Sequence, residues 1–164
     1  MIDYNRVSHS KMLSLSDNID TIVAKATNFN NFNSIINFLT DIIKKNKIVE
    51  KLKQNNTNYD LNIVDMCSGS GVFGIALAKV LGGTGSLYFV DIVGEYHQTA
   101  INLTDLILGS SYKPITYTCS ADSTSIPKES VDIIIEVNGF HHVPSLNKAV
   151  KESRRILKSN GIFL

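Results

Sequence analysis

With 164 residues, 43% hydrophobic and 19% charged, the chain has the size and composition of one globular domain with its own core. A formal net charge of +1 excludes the basic footprint by which proteins track a nucleic-acid backbone. Two cysteines exclude a disulfide framework, and no apolar run is long enough to span a bilayer, so the expectation is a cytoplasmic protein without nucleic-acid or membrane partners.

Residues 1–56 carry helical patterning. Met1 to Arg6 lacks the apolar core of a signal peptide. Ser16-Asp17-Asn18 offers a cap, after which Ile19, Ile22, Val23 and Ala26 recur at helical spacing. The periodicity predicts a second helix from about Asn33 to Gln54, with its lysines on a solvated face. Residues 1–56 are therefore read as an N-terminal helical cap, with Tyr4 and these helices as a candidate lid, and residues 57–164 as the domain beneath it. Asn55-Asn56-Thr57-Asn58 is the polar break between them.

From Leu61 the rhythm becomes strand, loop, helix, strand. Strands are expected at Leu61–Met66, Ser86–Asp91, Ile115–Cys119 and Val131–Val137, with a fifth opening at Ile162. Helices fall at about Val72–Leu81, Tyr96–Leu108 and Ser145–Leu157, and Ser159-Asn160-Gly161 is read as the turn that ends the last. Strands alternating with helices imply right-handed crossovers, hence a Rossmann-like, doubly wound, mostly parallel α/β sheet.

The stretch that carries chemistry is Asp65-Met66-Cys67-Ser68-Gly69-Ser70-Gly71-Val72-Phe73-Gly74, a strand end, a small-residue loop and a helix start. Gly69-x-Gly71-x-x-Gly74, with Asp91 about 20 residues on, fits the dinucleotide fingerprint. Two details oppose a pyrophosphate. The first glycine does not follow the strand directly, and Asp65 puts a carboxylate where the phosphates would lie. S-adenosyl-L-methionine has no phosphate and carries an ammonium and a sulfonium, which an acid suits. Asp91 would accept from its ribose hydroxyls, and Asp122, after the third strand, would face the adenine amine.

On these residues the segment from Ile63 onward resembles a class I S-adenosylmethionine-dependent methyltransferase of the small-molecule branch. Val64 to Gly71 is similar to its first motif, with Cys67 where many members have glycine, and Phe89-Val90-Asp91 to the acid ending the second strand. Ala121-Asp122 is similar to the adenine-side motif, and Val131 to Ile134 with Phe140-His141-His142-Val143-Pro144 to the fourth-strand motif. Arg154 to Gly161 is similar to the helix-to-fifth-strand signature, which usually holds a Pro-Gly-Gly-like turn.

The resemblance implies methyl transfer to an oxygen or nitrogen of a small molecule, with S-adenosyl-L-homocysteine as product. The cofactor contacts would be Asp65, Cys67, Gly69, Gly71, Asp91, Ile92, Ala121, Asp122, Glu136 and Asn138. His142, then His141, is the candidate base. Gly74 is assigned to helix–strand packing and Cys67 to filling space. No Asn/Asp-Pro-Pro-aromatic segment follows the fourth strand, which argues against planar amide or base acceptors, and no cluster has zinc spacing.

The family's usual C-terminal strands are absent from the sequence. The expectation is a truncated sequence, or else a homodimer or partner chain covering the open sheet edge. Two other classes stay open: a non-catalytic cofactor-binding or scaffold subunit, and an NAD(P)-dependent oxidoreductase.

Overall fold

The computed structural model describes residues 18–55 and 58–164. Three helices come first: α1 (Ile19–Ala26), α2 (Phe32–Lys45) and α3 (Ile48–Asn55). Asn18 and Asn31 start the first two as N-caps, each side chain accepting from the backbone three residues on, Thr21 at 2.9 Å and Ser34 at 3.0 Å. Asp20 accepts from Phe32 N–H at 2.9 Å and so joins α1 to the start of α2. Tyr4 and the Ser16-Asp17 part of the predicted cap lie outside the described residues.

The single helix expected from about Asn33 to Gln54 is two. Asn46 bonds back to the Ile42 carbonyl through both its backbone N–H and its side-chain amide, and Lys47 takes the left-handed conformation at φ 53°. An Asn followed by a left-handed residue ends a helix because the backbone can no longer continue its 3.6-residue turn. The break lets Ile48 and Leu52 of α3 turn back into the core beside Ile35, Leu39 and Ile43 of α2.

The rest is an open sheet. Its strands are β1 (Asp60–Met66), β2 (Thr84–Asp91), β3 (Tyr112–Thr118), β4 (Val131–Glu136) and β5 (Leu157–Phe163), in the order β3-β2-β1-β4-β5. Every strand pair is parallel. Helices α4 (Val72–Leu81), α5 (Glu95–Leu108) and α6 (Leu146–Ile156) make the crossovers.

Successive residues of β1 and β4 point to opposite faces, and both faces are buried. Ile63, Leu87, Phe89, Ile133 and Ile135 pack under α4 and α5 with the N-terminal helices. Val64, Met66, Val90 and Ile134 pack on the other face with Ile156 of α6 and Ile126. In this order the winding of the chain across the sheet reverses between β1 and β4, and the crevice outside the carboxyl ends of these strands is where such sheets take ligands.

Two connections complete the sheet. Residues 119–130 between β3 and β4 form a loop fastened to α6. Thr124 donates to Glu152 Oε1 through its N–H (2.8 Å) and its hydroxyl (2.6 Å), and Arg155 Nη2 donates to the Ile126 carbonyl at 2.8 Å. The fastening buries Ile126 and holds Ala121 under the crevice. The second connection differs from expectation. Ser159-Asn160-Gly161 is not a turn ahead of the last strand but an irregularity inside it: Val131 pairs with Leu157 while Ile133 pairs with Ile162. Lys158, within that stretch, is drawn to the buried Asp132 carboxylate at 2.7 Å. No helix among the described residues is long and apolar enough to cross a membrane.

Candidate functional site

The loop after β1 is built by its glycines and two acids. Asp65 is buried, and its Oδ2 accepts from Gly74 N–H at 2.8 Å. That bond needs glycine in the first turn of α4, because a Cβ on residue 74 would stand 2.8 Å from the same oxygen. Gly71, at φ +78°, starts the helix in the left-handed region, and a Cβ there would meet the Phe89 ring at 2.5 Å and Ala100 Cβ at 2.9 Å. Gly69, at φ +49°, has open space where its side chain would be, and its N–H donates to Asp91 Oδ2 at 2.8 Å. Asp91 Oδ1 accepts from Val93 N–H at 2.9 Å. The carboxylate ending β2 is thus oriented by one backbone donor on each oxygen, with further lone pairs left for a ligand.

A cavity of about 500 Å³ opens over this end of the sheet. Cys67, Asp91, Ile92 and Asn138 line its floor and near side; Glu95, Tyr96 and Thr99 come from α5 and Cys119, Ser120 and Ala121 from the end of β3. His142, Val143 and Pro144 form its lip. Among the described residues, the charged side chains lining the cavity are acids, with neither lysine nor arginine present. Burial, then the charges of Asp91, Glu136 and Asp65, pushes the Cys67 thiol up to about 12. Such a thiol is neutral at physiological pH.

Six of the residues singled out in the sequence reach the cavity: Cys67, Asp91, Ile92, Ala121, Asn138 and His142. The others stand around it. Asp65 lies beneath the loop, where burial first, and then Asp91 and Glu136, push its carboxyl well above the usual range. Asp65 is not among the residues lining the cavity, whose acids are Asp91 and Glu95. Glu136 Oε1 accepts from the N–H groups of Gly139 (a very short bond) and Phe140 (2.8 Å), so it folds the turn after β4. Asp122 is half-buried beside Ala121. Gly71 is not among the lining residues, and a Cβ there would meet Phe89 and Ala100.

His141 and His142 occupy one turn of 3₁₀ helix with their rings 3.7 Å apart, both exposed. His142 faces the cavity, and His141 is not among its lining residues.

The sequence reading missed Glu95, Tyr96 and Thr99. Their signal is positional: the first turn of a helix that follows an acid-ended strand points back over that acid, and residues i, i+1 and i+4 share the facing side. It also missed Ser120, whose hydroxyl is buried without a partner at the cavity wall, as is that of Ser68 in the loop.

A parallel sheet ordered 3-2-1-4-5, with a carboxylate closing β2 and a glycine loop after β1, is the framework of the class I S-adenosylmethionine-dependent methyltransferases. The chain belongs to the ubiE/COQ5 methyltransferase family, whose pattern it matches over residues 12–164. It is 30% identical to the ubiquinone/menaquinone biosynthesis C-methyltransferase UbiE of Rickettsia typhi, over 98% of this chain and 63% of that protein. It is 28% identical to the demethylmenaquinone methyltransferase of Lactobacillus johnsonii, over 87% of this chain and 57% of that one. The chain thus spans less than two-thirds of the length of these curated relatives. The crystal structure of an S-adenosyl-L-methionine-dependent methyltransferase, described as putative, from Methanococcus maripaludis shares the fold, with a TM-score of 0.54 and 22% identity over 84% of this chain and 66% of that one.

Proposed function

We propose that the chain transfers the methyl group of S-adenosyl-L-methionine to a small molecule, leaving S-adenosyl-L-homocysteine. The observation that carries this is the acid-lined cavity over Asp91 in a chain of the ubiE/COQ5 methyltransferase family. In a dinucleotide site the acid ending β2 takes a ribose hydroxyl, so Asp91 by itself admits either cofactor. The family match over residues 12–164 disfavours NAD(P), and the sulfonium and ammonium of S-adenosyl-L-methionine suit the acids Asp91 and Glu95. The unpartnered Ser120 hydroxyl and the free lone pairs of Asp91 fit the polar edges of a nucleoside.

Bound there, the cofactor supplies an electrophilic methyl on a good leaving group. Asp91 would hold the ribose, Ile92 and Ala121 would flank the adenine with Asp122 beside its amine, and Cys67 and Asn138 would border the methionine end. Asp65, Gly69, Gly71 and Glu136 act through the loop and turn that place these groups. The residues 57–164 make the cofactor unit, and residues 1–56 remain assigned as its helical cap; the described helices α1–α3 supply no lining residue of this cavity.

The chain's remaining tasks are to orient an acceptor in line with the methyl, exclude water, and take a proton where the nucleophile carries one. His142 at the lip is positioned for that proton, with His141 as its alternate. The acceptor class is an oxygen or nitrogen of a small molecule; the name of the Rickettsia relative specifies methylation at carbon, so a hydroxyl-activated carbon belongs in the same assay.

The test is transfer of labelled methyl to extracted small molecules, with the product located by mass and NMR. We expect label in a small molecule, and His142→Ala to lower kcat by at least about a hundredfold. Binding of S-adenosyl-L-homocysteine with no transfer to any fraction would favour the non-catalytic subunit.

A further inference from the structure

Part of the cavity wall is made by two elements. Tyr96 and Thr99 stand on the first turns of α5, and Cys119 and Ser120 follow β3. His97 joins them. It is 7% exposed, and its Nδ1 lies 3.3 Å from Thr118 Oγ1 at the end of β3. Its Nε2 is buried with no hydrogen-bond partner among the described residues. Gly94, three residues earlier, rests on the same threonine, and a Cβ there would stand 3.1 Å from Oγ1. Cys119 N–H donates to the Asp91 carbonyl at 3.0 Å, so the end of β2 is tied in at the same place.

We propose that His97 is a positioning residue: bonded to Thr118, its ring clamps the first turn of α5 to the end of β3 and so sets the gap between Tyr96 and Thr99 on one side and Cys119 and Ser120 on the other. The inference rests on reading this cavity as the cofactor site. Buried polar atoms are nearly always partnered, so an orphaned imidazole nitrogen marks a ring held by something other than its own satisfaction.

The orphan makes the clamp sensitive to protonation. A neutral imidazole carries one N–H, whereas the imidazolium carries a donor on each nitrogen, and the one on Nε2 would be buried without an acceptor. The surrounding groups do not reverse this. Asp91 on β2 favours the cation, but both its oxygens already accept backbone N–H groups. Thr118 on β3 is uncharged, and the Cys119 thiol beside it is pushed up, first by burial. Glu95 and Tyr96 flank His97 on its own helix, and Lys79, the one charged residue of α4, lies two turns down that helix. Burial outweighs Asp91 and holds His97 below its ordinary 6.5. The folded protein therefore prefers the neutral ring; its contribution is complete above 6.5 and is lost as pH falls below that value.

The test is calorimetric binding of S-adenosyl-L-homocysteine to the full chain between about pH 7.5 and about pH 5.5. Three proteins are compared: wild type, His97→Asn, which keeps a polar side chain but does not titrate, and Thr118→Val. Wild-type affinity should fall about fivefold or more toward acid, His97→Asn should be flat across the range, and Thr118→Val should bind about fivefold more weakly at the upper pH. Hydrogen exchange of the unliganded proteins supplies a second reading: the amides of Val93 to Thr99 and of Cys119 should exchange faster in Thr118→Val. Wild-type-like binding in both variants, with the acid loss persisting in His97→Asn, would overturn the proposal, as would unchanged exchange in Thr118→Val. If wild type binds no S-adenosyl-L-homocysteine at all, it is the cofactor reading that fails, and the exchange result alone decides the clamp.

Discussion

Gly69 and Gly71 stand two residues apart in one loop, both with positive φ, and their side-chain directions separate their roles. A methyl on Gly69 enters open space, whereas a methyl on Gly71 enters the Phe89 ring and Ala100. Gly69→Ala should therefore cost about 1 kcal/mol of stability, the strain of a left-handed alanine. Gly71→Ala adds overpacking to that strain and should cost about 3 kcal/mol or more. Urea unfolding of the two variants checks this, and equal losses would contradict it. The pattern of glycines was legible in the sequence, but not this division of labour, which depends on what α5 and β2 bring against the loop. Asp65 is the parallel case. An acid ending a strand reads as a ligand group, yet its neighbour nine residues on is a glycine N–H that claims it beneath the helix.

At the scale of elements, the loop of residues 119–130 owes its place to Glu152 and Arg155 on α6. Arg155 Nε donates to Glu152 Oε2 and Nη2 to Oε1, each at 2.7 Å, while Thr124 donates to Oε1 twice. Those bonds, the Arg155 guanidinium foremost, hold the Glu152 carboxyl down to about 2 against an ordinary 4.5. A carboxylate depressed in the folded state lends stability that is present above 4.5 and lost as pH falls toward 2. Acid titration of the unfolding free energy should show that loss, about 2 kcal/mol with allowance for the part-exposed arginine. Glu152→Gln should lack it, and should also be less stable at neutral pH because its amide would present a donor to Arg155 Nε. A parallel acid limb in the variant would refute the assignment. Because Glu152 and Arg155 follow an ordinary helical pattern in the sequence, nothing there marks them as the fastener of a loop 28 residues away. The same limit explains the two element boundaries that moved. A continuous apolar face hides the break at Asn46-Lys47, since α3 stays amphipathic after turning. The Ser159-Asn160-Gly161 stretch reads as a turn because its irregularity is a matter of pairing with β4, which no local pattern records.

At the scale of the whole molecule, most of the architecture was legible. Apolar runs at β1 and β4 alternating with helical periodicity dictate a parallel sheet, and three acids following three successive strands point to its carboxyl edge. Which acids face the cavity was not legible, because a strand end can turn its side chain over the edge or under the following helix. Asp91 does the former and Asp65 the latter. The acid-lined cavity that results, in a chain of this family, is the basis for proposing a sulfonium nucleoside, and Asp91 is the residue on which that proposal turns. The most direct test is calorimetric titration of the chain and of its Asp91→Ala variant with S-adenosyl-L-homocysteine and with NAD. The account predicts micromolar binding of S-adenosyl-L-homocysteine, none of NAD, and a loss in Asp91→Ala of roughly 1.5–3 kcal/mol, the worth of a charge-assisted hydrogen bond. Binding of NAD without S-adenosyl-L-homocysteine, or an unchanged affinity in Asp91→Ala, would contradict it.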